Sequence, residues 1–328
     1  MDPDRPDQDT RAPRTLVLLL PAIRELALAP AGQVAALSML VGRGREGASA
    51  GPGLWPALAG LIDPHPREPG AAALTRRIDA PHDVAGAAWL RADPAHVRLE
   101  PVSARLLAVG SLALDAHEVE ELLRTLKPVF GDEGMVLDAP SARRWYLRLP
   151  QGARLPAFSA PEEALGSDLG LHLPGGDEGR RWRRLFNEVQ VILHQHPVNA
   201  ARAARGRAAV NALWFWGAGA LPDRVLGALD ELHGLDPVLA AAADLAGIRV
   251  EPLDSVNAAL QAPRVLLDLR HVRQAEVLES AWIEPARRAL HARRIGQLEL
   301  RWLDGRRHLV LPGDLWRIWR RPRGPWPG

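Results

Sequence analysis

Residues 180–219 read RRWRRLFNEVQVILHQHPVNAARAARGRAAVNALWFWGAG: an amphipathic helix, a polar turn and an apolar strand in direct succession. Trp182, Leu185, Phe186, Val189 and Leu193 recur at helical spacing and so share one face. Asn187, Gln190 and His194 form a second stripe that is entirely polar. Pro197 predicts the end of the helix, Asn199 the cap of a short basic turn carrying Arg202 and Arg205, and Gly206 its stop. The run from Asn211 to Trp216, ended by Gly217, predicts a buried strand whose carboxyl end opens into a loop. Open α/β sheets tend to hold ligands at such strand ends.

Working outward, residues 1–14 are polar and proline-rich and predict a disordered tail. Leu16–Leu20 predicts a buried strand, Gln33–Val41 a helix, and Gly42–Gly53 a mobile loop of Gly, Ala, Ser and Arg. Strand-like pieces run from Trp89 to Gly110. Asp115 predicts a helix cap, with Glu118 at the capping-box position, for a helix through Leu126. Met135–Leu137 and Trp145–Leu149 predict a strand pair, and 151–179 a long connection rich in Pro, Gly and acids. Farther on, helices are predicted at Arg224–His233, Pro237–Leu245 and Glu276–Ala292. Strands are predicted at Ile248–Glu251, Val265–Leu269, Gln297–Leu303 and His308–Leu311.

This alternation predicts an α/β fold, a layered and mostly parallel sheet with a smaller α+β subdomain. The expected divisions are a tail over 1–14, the amino-terminal part of the α/β core over 15–74, the α+β subdomain with its connecting loop over 75–179, and the rest of the core over 180–328. The closing DLWRIWRRPRGPWPG mixes Trp with Arg and predicts a helix covering a sheet edge; stacking on nucleobases and seating at a membrane surface are the alternatives.

A chain of 328 residues with 47% hydrophobic content can bury a large core. The formal charge of +2 comes from nearly balanced acids and arginines, a weak signal for nucleic acid. The absence of cysteine excludes disulfides, a thiolate nucleophile and a cysteine zinc site. Leu16–Leu20 is followed by Pro21, Arg24 and Glu25 and reads as neither signal peptide nor membrane span, so a cytoplasmic protein with no nucleic-acid and no membrane partner is expected.

Several short motifs fail their context. Gly42, Gly44 and Gly47 spell the dinucleotide pattern G-x-G-x-x-G, but a helix precedes them and AGPG follows, where the chemistry needs a strand before and a helix after. Gly47, Ser49 and Gly51 spell the nucleophile elbow G-x-S-x-G without a buried strand leading into the serine. His194 and His196 form an H-x-H pair lacking a third metal ligand. Asp268 and His271 end an apolar strand, a position suited to ligands, without further polar companions. Arg143, Arg144 and Arg148 flank Trp145 and Tyr146, which fits either an anion site or a strand with one solvated face.

The run His196, Pro197, Val198, Asn199, Arg202, Gly206, Val210 and Asn211, closing on Gly217 and Gly219, resembles an element of the archaeal-type cofactor-independent phosphoglycerate mutases of the alkaline phosphatase superfamily. RWYLRLP, NEVQVILHQHPVN, VNALWFWGAG and DLWRIWRRP are similar to the RpfE-type regulatory proteins of proteobacteria. The resemblance implies an alkaline phosphatase-like core. In the mutases, aspartates and histidines hold two divalent ions and a serine is transiently phosphorylated. This chain departs from that set. Its first strand ends in Pro21, Asp268 and His271 are spaced differently, and the closing Asp-His motif is missing. Since two metals carry most of such chemistry, the expectation is a non-catalytic, degenerate relative with no metal and no cofactor and a regulatory or small-anion-binding role.

His194, His196, Asn199, Arg202 and Asn211 are the expected ligand-binding residues, holding a small phosphorylated or carboxylated metabolite. The bland alternative is that they cap the turn and pin the helix to the strand. Two rival functions remain: a phosphoryl-transfer enzyme rebuilt around His194 or His196, and a module engaging a protein partner through the Trp/Arg-rich end.

Overall fold

The computed structural model describes residues 14–27, 31–324 and 326. The tail expected over 1–14 therefore lies outside the described residues except for Arg14. The chain forms two compact units, one comprising the residues up to Arg67 together with Arg224 onward, the other Glu68–Asp223.

In chain order, the first unit contributes β1 (Thr15–Leu20), α1 (Ala35–Arg43), β2 (Arg45–Glu46), α2 (Leu54–Leu58) and β3 (Ile62–His65). The second holds α3 (Ala71–Asp79), β4 (Trp89–Leu99), β5 (Ala104–Val109), α4 (Ala116–Asp132), β6 (Val136–Asp138) and β7 (Tyr146–Arg148). It continues with α5 (Pro161–Ala164), α6 (Gly176–His194), α7 (Pro197–Ala204) and β8 (Ala212–Gly219). The return to the first unit brings β9 (Arg224–Gly227), β10 (Glu231–His233), α8 (Pro237–Leu245), β11 (Arg249–Glu251), α9 (Val256–Ala259) and β12 (Arg264–Asp268). Next come α10 (Ala275–Leu278), α11 (Glu284–His291), β13 (Gln297–Trp302) and β14 (Arg307–Val310).

The first unit is built on a seven-stranded sheet in the order β11-β10-β12-β1-β13-β14-β2. The five strands from β11 to β13 are parallel, and β14 and β2 extend the edge antiparallel. This is the mixed α/β, mostly parallel sheet expected. β1 lies between β12 and β13, and Leu16–Leu20 are fully buried, as a central parallel strand covered on both faces requires.

Arg224–His233 is a correction: it forms β9 and β10, not a helix. Val225 and Leu226 pair with Pro64 and Asp63, and β10 fills the gap between β11 and β12. Pairing and burial override the apparent helical spacing.

The long helix expected over Glu276–Ala292 is interrupted by a π-turn at Glu279–Ile283. Pro285 stands two residues past it; its missing N–H and its ring are incompatible with an undisturbed α-helical ladder. The turn places the Glu279 carboxylate against the N–H groups of Ala36 (2.6 Å) and Leu37 (3.0 Å), capping α1.

At the carboxyl end the expected helix is a 3₁₀ turn over Pro312–Trp316, after which Trp316, Ile318 and Trp319 are exposed. The loop expected over Gly42–Gly53 contains β2, paired with His308 and Leu309.

The second unit is a five-stranded antiparallel sheet, with β5-β4-β7-β6 in order and β8 paired to β4. Its largest core cluster joins α4, α6 and the sheet through Leu122, Phe130, Trp182, Phe186 and Phe215. The opening stretch thus belongs here: β8 is antiparallel, and 180–223 groups with 68–179 instead of with 224–328 because β8 pairs along most of β4. Gly217 and Gly219 have a steric reason. A Cβ on Gly217 would meet the Ala71 Cβ at 2.9 Å, and one on Gly219 would meet the Gly70 Cα at 2.8 Å, so the start of α3 runs against bare backbone.

Candidate functional site

His196, Asn199, Arg202 and Asn211 come together in the second unit, and their hydrogen bonds run to the protein's own groups. The cap of α7 is His196, one turn earlier than the expected Asn199: its Nδ1 accepts from the Val198 N–H (3.3 Å), and its Nε2 lies 3.0 Å from the Thr125 hydroxyl. Burial pushes the His196 imidazole below its ordinary range, favouring the neutral ring that can accept. Pro197, at the first helical position, starts α7 where it was expected to end α6, since its N–H is not needed there.

Asn199 donates to the carbonyls of Leu193 (2.7 Å) and Val210 (2.8 Å) and accepts from the Val210 N–H (2.8 Å), tying α6 to the approach to β8. Asn211 spans Val97 as a strand would, accepting from its N–H (2.8 Å) and donating to its carbonyl (2.7 Å). Arg202 is 1% exposed. Its guanidinium reaches Glu118 (2.8 Å) and the carbonyls of Ala208 (2.8 Å) and Leu112 (2.7 Å). Glu118 is also the capping-box acid of α4, receiving the Asp115 N–H. His194, by contrast, is exposed at the last residue of α6. The geometry is that of a lock joining α4, α6, α7, β4 and β8.

A denser charged cluster, not assembled from sequence, lies on α3, β4 and β7. Arg91 and Asp93 are both buried and paired at 2.7 Å; Asp93 also receives the Trp216 indole N–H (2.7 Å) and the Trp145 backbone N–H (3.1 Å). Arg76 joins Asp83 and Asp138, each at 2.5 Å. Arg144 pairs with Asp79, which also accepts the Tyr146 hydroxyl at 2.5 Å. Burial alone would raise the Asp79 carboxyl, but the hydrogen bonds from Arg144 and Tyr146 and the neighbouring arginine charge hold it below its ordinary range. Arg144 is thus tied inside the fold, while Arg143 and Arg148 are exposed. The only hint in sequence was the density of Arg around Trp145 and Tyr146; Asp79, the partner of Arg144 and Tyr146, stands more than 60 residues away.

In the first unit, the carboxyl edge of the parallel sheet is where ligands of α/β folds collect. Asp268, the last residue of β12, is buried and held by Arg270, whose Nε and Nη2 each donate at 2.7 Å. The same guanidinium lies 3.3 Å from Asp236, the cap of α8. Burial opposes its charge, yet the hydrogen bonds and charge of Asp268 and Asp236 keep Arg270 protonated beyond the ordinary range. His271 is exposed and is not brought into this cluster. On β10, His233 lies 3.2 Å from Glu231 and 3.0 Å from the Pro252 carbonyl.

The two glycine motifs also have steric explanations. A Cβ on Gly42 would meet the Arg321 carbonyl oxygen at 2.4 Å, and one on Gly44 the Leu40 carbonyl oxygen at 2.6 Å. Ser49 is exposed beyond the two-residue edge strand β2. Neither motif has the strand-turn-helix context its chemistry requires.

No protein-family profile matches the chain. Parts of it are nevertheless similar in sequence to phosphoglycerate mutases. Over 85 residues, 26% of this chain and 21% of the relative, it is 31% identical to the 2,3-bisphosphoglycerate-independent phosphoglycerate mutase of Methanothrix thermoacetophila. Over 132 residues, 40% of this chain and 33% of the relative, it is 32% identical to the probable 2,3-bisphosphoglycerate-independent phosphoglycerate mutase of Geobacter sulfurreducens. The matched segments thus span only a fifth to a third of these relatives. Among solved structures, the cofactor-independent phosphoglycerate mutase from Thermoplasma acidophilum aligns over 92% of this chain and 90% of that chain, at 17% identity and a TM-score of 0.42. It is the sequence matches that make the chain, over the matched segments, phosphoglycerate mutase-like at low identity.

The pair of divalent ions implied by that likeness does not fit the residues present. β1 ends at Leu20 and Pro21, and both oxygens of Asp268 already accept from an arginine. Among the described residues, no group of three or more His, Asp or Glu is placed to hold a metal ion. Also among them, no helix is long and apolar enough to cross a membrane.

Proposed function

We propose that this chain is a non-catalytic, degenerate relative of the phosphoglycerate mutases, of the RpfE-type regulatory kind, which binds a small phosphorylated or carboxylated anion in the cytoplasm without converting it. One observation carries the reading. At the carboxyl edge of the parallel sheet, the guanidinium of Arg270 stands between Asp268 and Asp236, so that both oxygens of the strand-end carboxylate Asp268 are already taken up by a side-chain cation. A carboxylate saturated by a bidentate arginine is a poor metal ligand, because the metal would have to displace two charge-assisted hydrogen bonds. The sequence similarity to the mutases supports the ancestry, and the expected binding of an acidic metabolite follows from that ancestry.

The test is an assay for interconversion of 3-phosphoglycerate and 2-phosphoglycerate with Mn²⁺ or Mg²⁺ added. No turnover above that of the buffer is expected, and metal-dependent turnover abolished by Asp268→Asn would sink the reading.

A second reading is favoured by the exposure of Trp316 (68%), Ile318 (77%) and Trp319 (74%), large apolar side chains of the type that anchors protein interfaces. In that case Trp319→Ala weakens association with a protein partner and leaves anion binding unchanged.

A further inference from the structure

Within the first unit, a cavity of about 890 Å³ lies beside the carboxyl ends of β1 and β13. Its size falls in the range of small-molecule sites. Trp302, the last residue of β13, Ile23, just past β1, and His308 of β14 line it. Four arginines from separate segments join them: Arg45 on β2, Arg306 in the β13–β14 turn, and Arg320 and Arg323 in the carboxyl-terminal segment. Glu46 is the one acid among the described lining residues.

Arg45 is 54% exposed, with the Asp314 carboxylate at 3.6 Å, and Arg320 reaches protein through a hydrogen bond to the Gly44 carbonyl at 3.2 Å. With four arginines against Glu46, the described lining is net positive.

A second observation is independent of charge. Three ring nitrogens of lining residues, His308 Nδ1, Trp302 Nε1 and Trp326 Nε1, are buried without a hydrogen-bond partner among the described residues. Indole N–H is a donor only, and a buried donor left unmatched costs about 1–3 kcal/mol, so native proteins seldom leave several together.

From the cationic lining and the unmatched ring nitrogens we propose that this cavity is the binding site for a small organic anion, of the phosphorylated or carboxylated kind. The proposal deepens the reading above and rests on it for the kind of ligand; the location is carried by the cavity itself. It moves recognition away from Arg202, whose guanidinium serves Glu118 and two backbone carbonyls.

The test is metal-free calorimetric titration of the full chain with 3-phosphoglycerate and with pyrophosphate, against sodium chloride at matched ionic strength. Saturable binding is expected for at least one of the two probes. Arg323→Ala is expected to weaken that binding by about tenfold or more, the scale of one lost charge-assisted hydrogen bond, and Arg45→Glu with Arg323→Glu to abolish it. Both side chains are exposed. Arg45 is half-exposed, and Arg323 contributes its backbone N–H, not its guanidinium, to the Ser38 carbonyl. Unchanged melting temperature of the variants confirms that the fold is kept.

Equal affinity in the wild type and in Arg45→Glu with Arg323→Glu would overturn the location while leaving the non-catalytic reading intact. Absence of binding by either probe would overturn the site itself. Turnover in the mutase assay would overturn the reading of function and leave the metal-free binding result to decide the cavity.

Discussion

Arg202 and Glu118 form a buried ion pair whose separate removal is costly, because the surviving charge loses its partner in a medium that solvates it poorly. Arg202→Ala is expected to lower the unfolding free energy by about 3–5 kcal/mol, as urea titration would measure. A double-mutant cycle with Glu118→Ala should be strongly non-additive. Asn199→Ala should cost about 1–3 kcal/mol for the backbone groups it leaves unmatched. Asp79 supplies a pH prediction. Its folded carboxyl lies below its ordinary range, so its contribution is fully present above that range and is lost as the pH falls through the lowered folded value. The acid limb of a melting-temperature profile should therefore be less steep in Asp79→Asn than in the wild type. The types and spacing of His196, Asn199, Arg202 and Asn211 were legible as a special polar element. Their use as a turn cap and a helix-to-strand pin was one of the two roles the sequence left open, but the distant partners were not legible, because Val97, Leu112 and Glu118 stand about 80 to 115 residues from them in sequence and only the fold brings these together.

At the scale of elements, periodic and capped segments were the readable ones. Asp115 with Glu118 forms the capping box of α4, and the Asp236–Pro237 start of α8 and the uninterrupted apolar β1 stand where local pattern puts them. β9 and β10 were not readable, since short strands made by pairing carry little local signal. Gly42 makes a prediction about the carboxyl-terminal segment that crosses it. Gly42→Ala has no room against the Arg321 carbonyl and the Arg323 N–H, so the segment must shift. Overpacking of this sort costs about 1–3 kcal/mol. Faster trypsin cleavage within 317–323 than in the wild type is the expected result, and an unchanged rate would mean that α1 yields instead.

For the whole molecule, the second unit begins and ends at one place. Gly70 N–H donates to the Ala220 carbonyl, and the two glycines at 70 and 219 touch through backbone. In the first unit the exit and return are likewise adjacent, because His65 pairs with Arg224. Each unit also has its own core, one around Leu18, Leu267 and Leu300 and the other around Phe130, Phe186 and Phe215. Residues 68–223 expressed alone are expected to unfold cooperatively in calorimetry, as a self-contained domain does. A non-cooperative or aggregated product would show that the unit depends on the rest of the chain.

The sequence by itself determined the α/β class, the central buried strand, the main helices and the likeness to the mutases, because these rest on local periodicity and on short motifs. Only the tertiary structure decided that β8 is antiparallel, that Arg202 is locked by Glu118, and that Arg270 stands between Asp268 and Asp236. Those facts depend on which distant residues share a sheet or a buried pair, and the partner of a buried charge is chosen by the fold.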